Sequence, residues 1–181
     1  MGEPKALVPL WGEPLLHRIV RTLASAGIVS PVVVTAAPHE ALIRAACTEL
    51  LVRWVHNESP ERGMLSSIKL GIAAQPVDRA GVLVWPVDVP LVQLSTVAAL
   101  LTVAADEELA VPTWQGRGGH PLFVPARLFA EALSLSETES LRTLRARHAL
   151  RRIEVGDEGV IRDFDTPAEL QAAQAESQRR E

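Results

Sequence analysis

The chain is predicted to be a single α/β domain built on a mostly parallel sheet, and three observations carry that prediction. Four short runs are strongly apolar and do not alternate cleanly: "PVVVT" at 31–35, "RWVH" at 53–56, "GVLVW" at 81–85 and "LAVP" at 109–112. Strands buried on both faces of a parallel sheet read this way. Helical periodicity separates the runs, and strand–helix alternation is the pattern of right-handed crossovers.

The elements follow in order. The stretch "PLLHRIVRTLASAG" places Leu15, Leu16, Ile19, Val20 and Leu23 on one helical face. Pro14 suits its first turn and Gly27 its stop, giving a helix over 14–26. "EALIRAACTELL" is the second helix, with Cys47 in its apolar phase as a small buried hydrophobe. Residues 57–72 read as a loop and then a helix starting near Gly63. "LSTVAALLTVAAD" is another helix, with Ser95 or Thr96 as its cap.

After residue 112 the rhythm changes. "TWQGRGGHPLFV" predicts a loop and a β excursion, followed by short helices near 126–134 and 139–148 and a strand at 151–155. In "DFDTPAEL", Thr166, Pro167 and Glu169 form a capping box with proline at the first helical position. The polar tail "AESQRRE" is expected to fray.

The opening "MGEPKALVPLWGEPLL" reads as the end of a loop. The strand and the first part of the turn that normally feed the first helix of such a domain are missing from the pattern.

Composition bounds the function. The 181 residues suffice for one domain, 1–181, with a substantial core. Hydrophobic residues make up 48% and charged residues 22%, an ordinary globular balance, and the net charge is −4. That balance argues against a general nucleic-acid binder while leaving room for a local positive pocket. One cysteine forbids an intrachain disulfide and points to a reducing cytoplasm. No run is long enough to span a bilayer, so no membrane partner is expected.

Asp88 in "VLVWPVDVPLV" follows a buried strand, where open α/β sheets bind ligands. A carboxylate there can hold Mg²⁺ and position a triphosphate; its alternative role is to cap the next helix or turn. Asp163 and Asp165 are two apart and point the same way on an extended segment. Asp163 is a candidate second metal ligand, whereas Asp165 reads as a helix cap. Gly63 permits close backbone approach, and Ser66 and Ser67 at a helix start suit a nucleotide or another anion. In "GRGGHP", Arg117 can clamp a phosphate and His120 can hydrogen-bond a substrate, unless the segment is a mobile surface loop. Lys5 can meet a phosphate as a point charge. His17, His39, His56 and His148 lack ligand spacing and read as surface residues.

Together these segments resemble the MobA/MocA-like nucleotidyltransferases, the molybdenum-cofactor guanylyl- and cytidylyltransferases. "MGEPK" matches the last five positions of that family's LAAGxSxRMGxPK loop. "GMLSSIKLGI" resembles its GMSSSLRxGL segment, "VDVPLV" its GDxPLV metal motif, "GRGGHPLFV" its GxGHPVLF segment and "DFDTPAEL" its DIDTPEDL ending. The likeness runs over essentially the whole chain and is nearest to the cytidylyltransferase branch.

The resemblance implies a Rossmann-like three-layer sandwich of the nucleotide-diphospho-sugar transferase type, with its first strand absent. It implies transfer of an NMP, CMP from CTP being favoured, to a phosphorylated acceptor such as molybdopterin, with pyrophosphate released. Mg²⁺ would sit on Asp88, with Asp163 completing the metal environment. Lys5 would contact phosphate, Gly2, Gly63, Met64, Ser66 and Ser67 would line the nucleotide, and Gly119 and His120 would face the acceptor. The alternatives are transfer to a sugar phosphate or other small phosphate, and a shortened, non-catalytic nucleotide-binding relative. A start-site assignment would explain the absent LAAGxSxR part, because Met1 falls on the family's Arg-Met-Gly methionine. One further departure is Val87, which stands where the family has glycine before the metal aspartate.

Overall fold

A computed structural model describes residues 4–76, 78–103 and 108–178. The first described residues form a 3₁₀ turn at Lys5–Leu7, then a small hairpin of β1 (Pro9–Leu10) and β2 (Glu13–Pro14). Trp11 and Gly12 between them both have positive φ, 53° and 78°, the left-handed pair that a two-residue hairpin turn requires. The opening stretch was read as loop because no alternation announces strands this short. Helix α1 (Leu15–Ser25) follows and buries the five predicted residues: Leu15, Leu16, Ile19, Val20 and Leu23.

The sheet lies in two parts. Strands β3 (Val32–Thr35) and β4 (Arg53–His56) pair in parallel. The second part contains β5 (Gly81–Val84), β6 (Leu109–Trp114), β7 (Arg117–Gly118), β8 (Leu122–Pro125) and β9 (Leu150–Glu154). In it β5 pairs with β8, β8 with β6, and β6 with β9. Because β5 and β6 are both antiparallel to β8, and β9 is parallel to β6, the strands β5, β6 and β9 share one direction. The predicted α/β class with a mostly parallel sheet therefore holds, and β8 is the reversed excursion. Among the described residues no ladder joins β3 to β5, so each has one paired edge.

The remaining helices are α2 (Glu40–Ala46), α3 (Met64–Ala73), α4 (Leu94–Thr102), α5 (Phe129–Ser134), α6 (Leu141–Arg147) and α7 (Pro167–Gln178). Helix α3 spans both parts of the sheet. Gly71 lies against Val34 of β3, a methyl placed on it meeting Val34 Cγ2 at 3.6 Å. Leu65 and Ile72 of the same helix pack with Leu109, Val111, Leu122 and Val124. Cys47 is fully buried beside Leu16, Val20 and Ile43, as its apolar phase predicts.

Two capping expectations came out differently. At the last helix the box forms: Glu169 Oε2 accepts from Thr166 N at 2.7 Å, and Thr166 Oγ1 accepts from Glu169 N at 3.3 Å. At α4 neither Ser95 nor Thr96 is the cap; Gln93 holds that position without a side-chain bond. The buried carboxylate of Asp157, distant in sequence, accepts there instead from Gln93 N at 2.8 Å and Thr96 Oγ1 at 2.7 Å. The tail expected to fray continues α7 as far as Gln178. No helix among the described residues is long and apolar enough to cross a membrane.

Candidate active site

Two groups of predicted residues assemble at the carboxyl ends of strands. The first surrounds Asp88, which follows β5. The N-terminal hairpin packs against the C-terminal helix, Leu10 and Leu15 sharing a cluster with Phe164, Leu170 and Ala173. Trp11 Nε1 donates to Ala173 O at 3.1 Å, and Arg18 stacks over the Trp11 ring at 4.7 Å. This clamp brings Lys5 to the turn after β5. Lys5 Nζ lies 3.9 Å from Asp88 Oδ2 and 2.8 Å from Asp165 Oδ1. Asp165, read from sequence as a helix cap, instead pairs with Lys5, because Thr166 already fills the capping role.

Phe164 N donates to Asp88 O at 2.8 Å, which ties the "DFDTP" segment to the metal-motif turn. Phe164 is 1% exposed while its neighbours Asp163 and Asp165 are exposed, so the alternation of an extended chain sends both carboxylates away from the core. Val87 points the other way. Its side chain packs against the clusters around Leu16 and around Leu10, so the departure from glycine is absorbed by the core. Among the described residues no backbone N–H donates to the Asp88 carboxylate.

His120 ends the glycine-rich loop, within electrostatic reach of Asp88. His120 N donates to Val160 O at 2.7 Å, and Gly119 N donates to Pro112 O at 2.8 Å. A methyl on Gly119 would lie 2.2 Å from Val160 O, so the missing side chain lets the loop pack on the turn at 158–161. Asp157, 2% exposed, holds that turn by accepting from Gly159 N at 2.9 Å while also binding α4. Burial lowers the proton affinity of His120 below the ordinary imidazole value; Asp88 and Asp163 oppose the shift and Arg145 adds to it. Its Nδ1 is buried and has no hydrogen-bond partner among the described residues.

The second group lies between β4 and α3. Asn57 is 3% exposed and fully engaged. Its Nδ2 donates to Ser66 Oγ and to Ser67 Oγ, both at 2.9 Å, and its Oδ1 accepts from Ser59 N at 2.9 Å. Ser66 Oγ donates onward to Gly63 O at 2.8 Å. Gly63 has φ 85° and ψ 179°, a conformation essentially restricted to glycine, as the N-cap of α3.

A cavity of about 440 Å³ opens here, lined by Asn57, Ser59, Arg62, Ser66 and Lys69 among others. Arg62 pairs with Glu137 and Lys69 donates to Leu135 O across it. His56, read as a surface residue, lines the cavity and bonds Glu40. Met64 is largely exposed at the start of α3. Gly2 lies outside the described residues. Asn57 and Asp157 were missed by sequence reasoning: each makes one local bond two residues on, to Ser59 N and Gly159 N, but Ser66 and Ser67 for Asn57, and Gln93 and Thr96 for Asp157, are brought to them only by folding.

A lysine and carboxylates gather at the end of a strand in this α/β fold, where open sheets of this kind bind ligands. The model of the MobA-like NTP transferase domain matches residues 1–153, and the chain belongs to that family. A molybdenum cofactor guanylyltransferase described as probable, from Haloferax mediterranei, is 24% identical over 78% of this chain and 64% of its own length. A 2-C-methyl-D-erythritol 4-phosphate cytidylyltransferase from Streptomyces coelicolor is 33% identical over 75% of this chain and 47% of its own. The bifunctional protein GlmU of Alkalilimnicola ehrlichii is 40% identical over 56% of this chain and 21% of its own. The chain thus spans less than two thirds of each of these relatives.

Among solved structures, Rv0371c from Mycobacterium tuberculosis superposes with a TM-score of 0.81 at 21% identity, covering 97% of this chain and 91% of that one. The same protein is also known as a manganese complex. A nucleotidyl transferase from Methanothermobacter thermautotroptrophicus has a TM-score of 0.78 at 20% identity, covering 98% and 86%. These likenesses show the fold.

Proposed function

We propose that the chain transfers a nucleoside monophosphate, CMP from CTP first, to a phosphorylated small-molecule acceptor such as molybdopterin, in a cytoplasmic setting. The observation that carries this reading is the meeting of Lys5, Asp88 and Asp165 at the end of β5. An oxygen of the acceptor phosphate forms a bond to the α-phosphorus. The bond from that phosphorus to the β-bridging oxygen breaks, and pyrophosphate leaves with the electron pair. No covalent enzyme intermediate is needed, so positioning and charge neutralisation account for the catalysis.

Mg²⁺ takes one or two carboxylates together with water and phosphate oxygens. Asp88, 28% exposed at its side chain and unclaimed by main-chain donors, fits that role as a single carboxylate. Asp163 acts on the same imidazole as Asp88 and is our candidate second ligand. When bound, the ion supplies positive charge to the triphosphate. Lys5 meets a phosphate oxygen once it exchanges Asp165 for the ligand. Gly63, Met64, Ser66 and Ser67 border the nucleotide, with Asn57 fixing the two serines. Gly119 and His120 face the acceptor.

A second reading, transfer to a sugar phosphate or another small phosphate, draws support from the identity with the 2-C-methyl-D-erythritol 4-phosphate enzyme. Calorimetry with CTP, GTP and UTP in the presence of Mg²⁺ tests the proposal. Binding of CTP ahead of the others is expected; binding of no nucleotide ends the enzyme reading.

A further inference from the structure

Helix α6 carries Arg142, Arg145 and Arg147, and the three are used differently. Arg147 pairs with Glu131 at 3.3 Å and Glu139 at 2.9 Å. Next to it, His148 takes the second oxygen of Glu131 at 2.6 Å. Arg145 is paired with no carboxylate among the described residues, although its side chain is half-buried. It lies across the face of the sheet toward β7: a methyl on Gly118 would sit 3.7 Å from Arg145 Nη2 and 3.9 Å from the Val111 methyls. Its charge is felt at His120, as are those of Asp88 and Asp163. With Arg142, Ala146 and Leu150 it lines an open concavity of about 460 Å³.

We propose that Arg145, with Arg142 at the rim of the concavity, binds a phosphate monoester dianion and holds it beside Gly118 and His120. This rests on the nucleotidyl-transfer reading and names the group through which the acceptor is held. An acceptor phosphate must approach an already anionic triphosphate, and that approach needs a cation on the acceptor's side of the reacting phosphorus. Lys5 is committed to Asp88 and Asp165. A guanidinium suits the task, because its planar fork binds two phosphate oxygens and leaves the third free to attack. Arg145 makes or breaks no bond; it is a substrate-binding residue.

The test is a titration of the wild-type chain and its variants with inorganic phosphate, read from the backbone amide resonances of Gly118 and Gly119. Arg147→Ala, which removes an arginine already paired, is expected to match wild type. Arg145→Ala should weaken binding by about tenfold, the loss of a charge-assisted bidentate contact. Arg145→Gln keeps most of the side-chain stem and should show the same loss should the alanine variant fold poorly. Affinity within twofold of wild type in the folded variants overturns the proposal, as do phosphate shifts that leave Gly118 and Gly119 unmoved. CTP with Mg²⁺ is titrated into the same samples and should bind all of them alike. If CTP binds none of them, the nucleotidyl-transfer reading fails, while the phosphate comparison still decides the role of Arg145.

Discussion

Asn57 spends its whole amide on one small region, with both donors directed at the serines of α3 and its oxygen at Ser59 N. Replacing it with alanine strands those partners in a buried setting. Asn57→Ala should cost about 1–3 kcal/mol of stability, measured by urea unfolding. It should also weaken nucleotide binding more than a surface substitution does, since Ser67 loses its anchor.

His120 makes a separate prediction through pH. Its folded-state proton affinity is lowered, mainly by burial. The unfolded chain therefore binds the proton first as pH falls. Stability from this group is complete above about pH 6.5 and declines as pH drops below that toward the folded-state value. Unfolding curves collected from pH 7.5 down to 5 should show this slope in the wild type and a shallower one in His120→Asn. Equal slopes would remove His120 as its source.

At the scale of elements, the glycine-rich loop and the turn at 158–161 act as one unit. Gly119 and Gly159 each press on backbone, at 2.2 Å from Val160 O and 2.3 Å from Leu91 O for an added methyl. Gly119→Ala should therefore destabilise by roughly 1–3 kcal/mol through overpacking, with a fall in Tm in thermal melts. An unchanged Tm would mean the loop is not fixed by that contact.

The strands differ in burial and in pairing. Strands β6 and β8 are buried along nearly their whole length, whereas Val32–Val34 of β3 and all of β5 are only half-buried, each with one paired edge. Amides on the unpaired edges of β3 and β5 should exchange with solvent at least about tenfold faster than those of β6 and β8 in hydrogen-exchange measurements. Uniform protection across all four strands would contradict the observed pairing.

The apolar runs and helical faces made these elements legible, because the residues that pack into the core are contiguous or periodic in the sequence. The β1–β2 hairpin, the reversed direction of β8 and the cap of α4 were not legible. Each depends on a partner brought near only by folding, such as Asp157 reaching Gln93 across the fold.

Over the whole molecule, the proposed site depends on the N-terminal hairpin meeting the C-terminal helix. Leu10 and Trp11 dock on α7, and that docking delivers Lys5 to Asp88 and Asp165. The motifs named Lys5, Asp88 and Asp163 individually; the pairing of Lys5 with Asp165 emerged only from the packed ends. With a net charge of −4, the phosphates of the proposed nucleotide would depend on a few local cations and on a divalent ion.

The most direct measurement is calorimetry of CTP binding with and without Mg²⁺, for the wild type and for Asp88→Ala. The account predicts Mg²⁺-dependent binding in the wild type, lost on the order of a hundredfold in the variant. Equal Mg²⁺-dependent binding by both proteins would contradict it and remove Asp88 from the centre of the site.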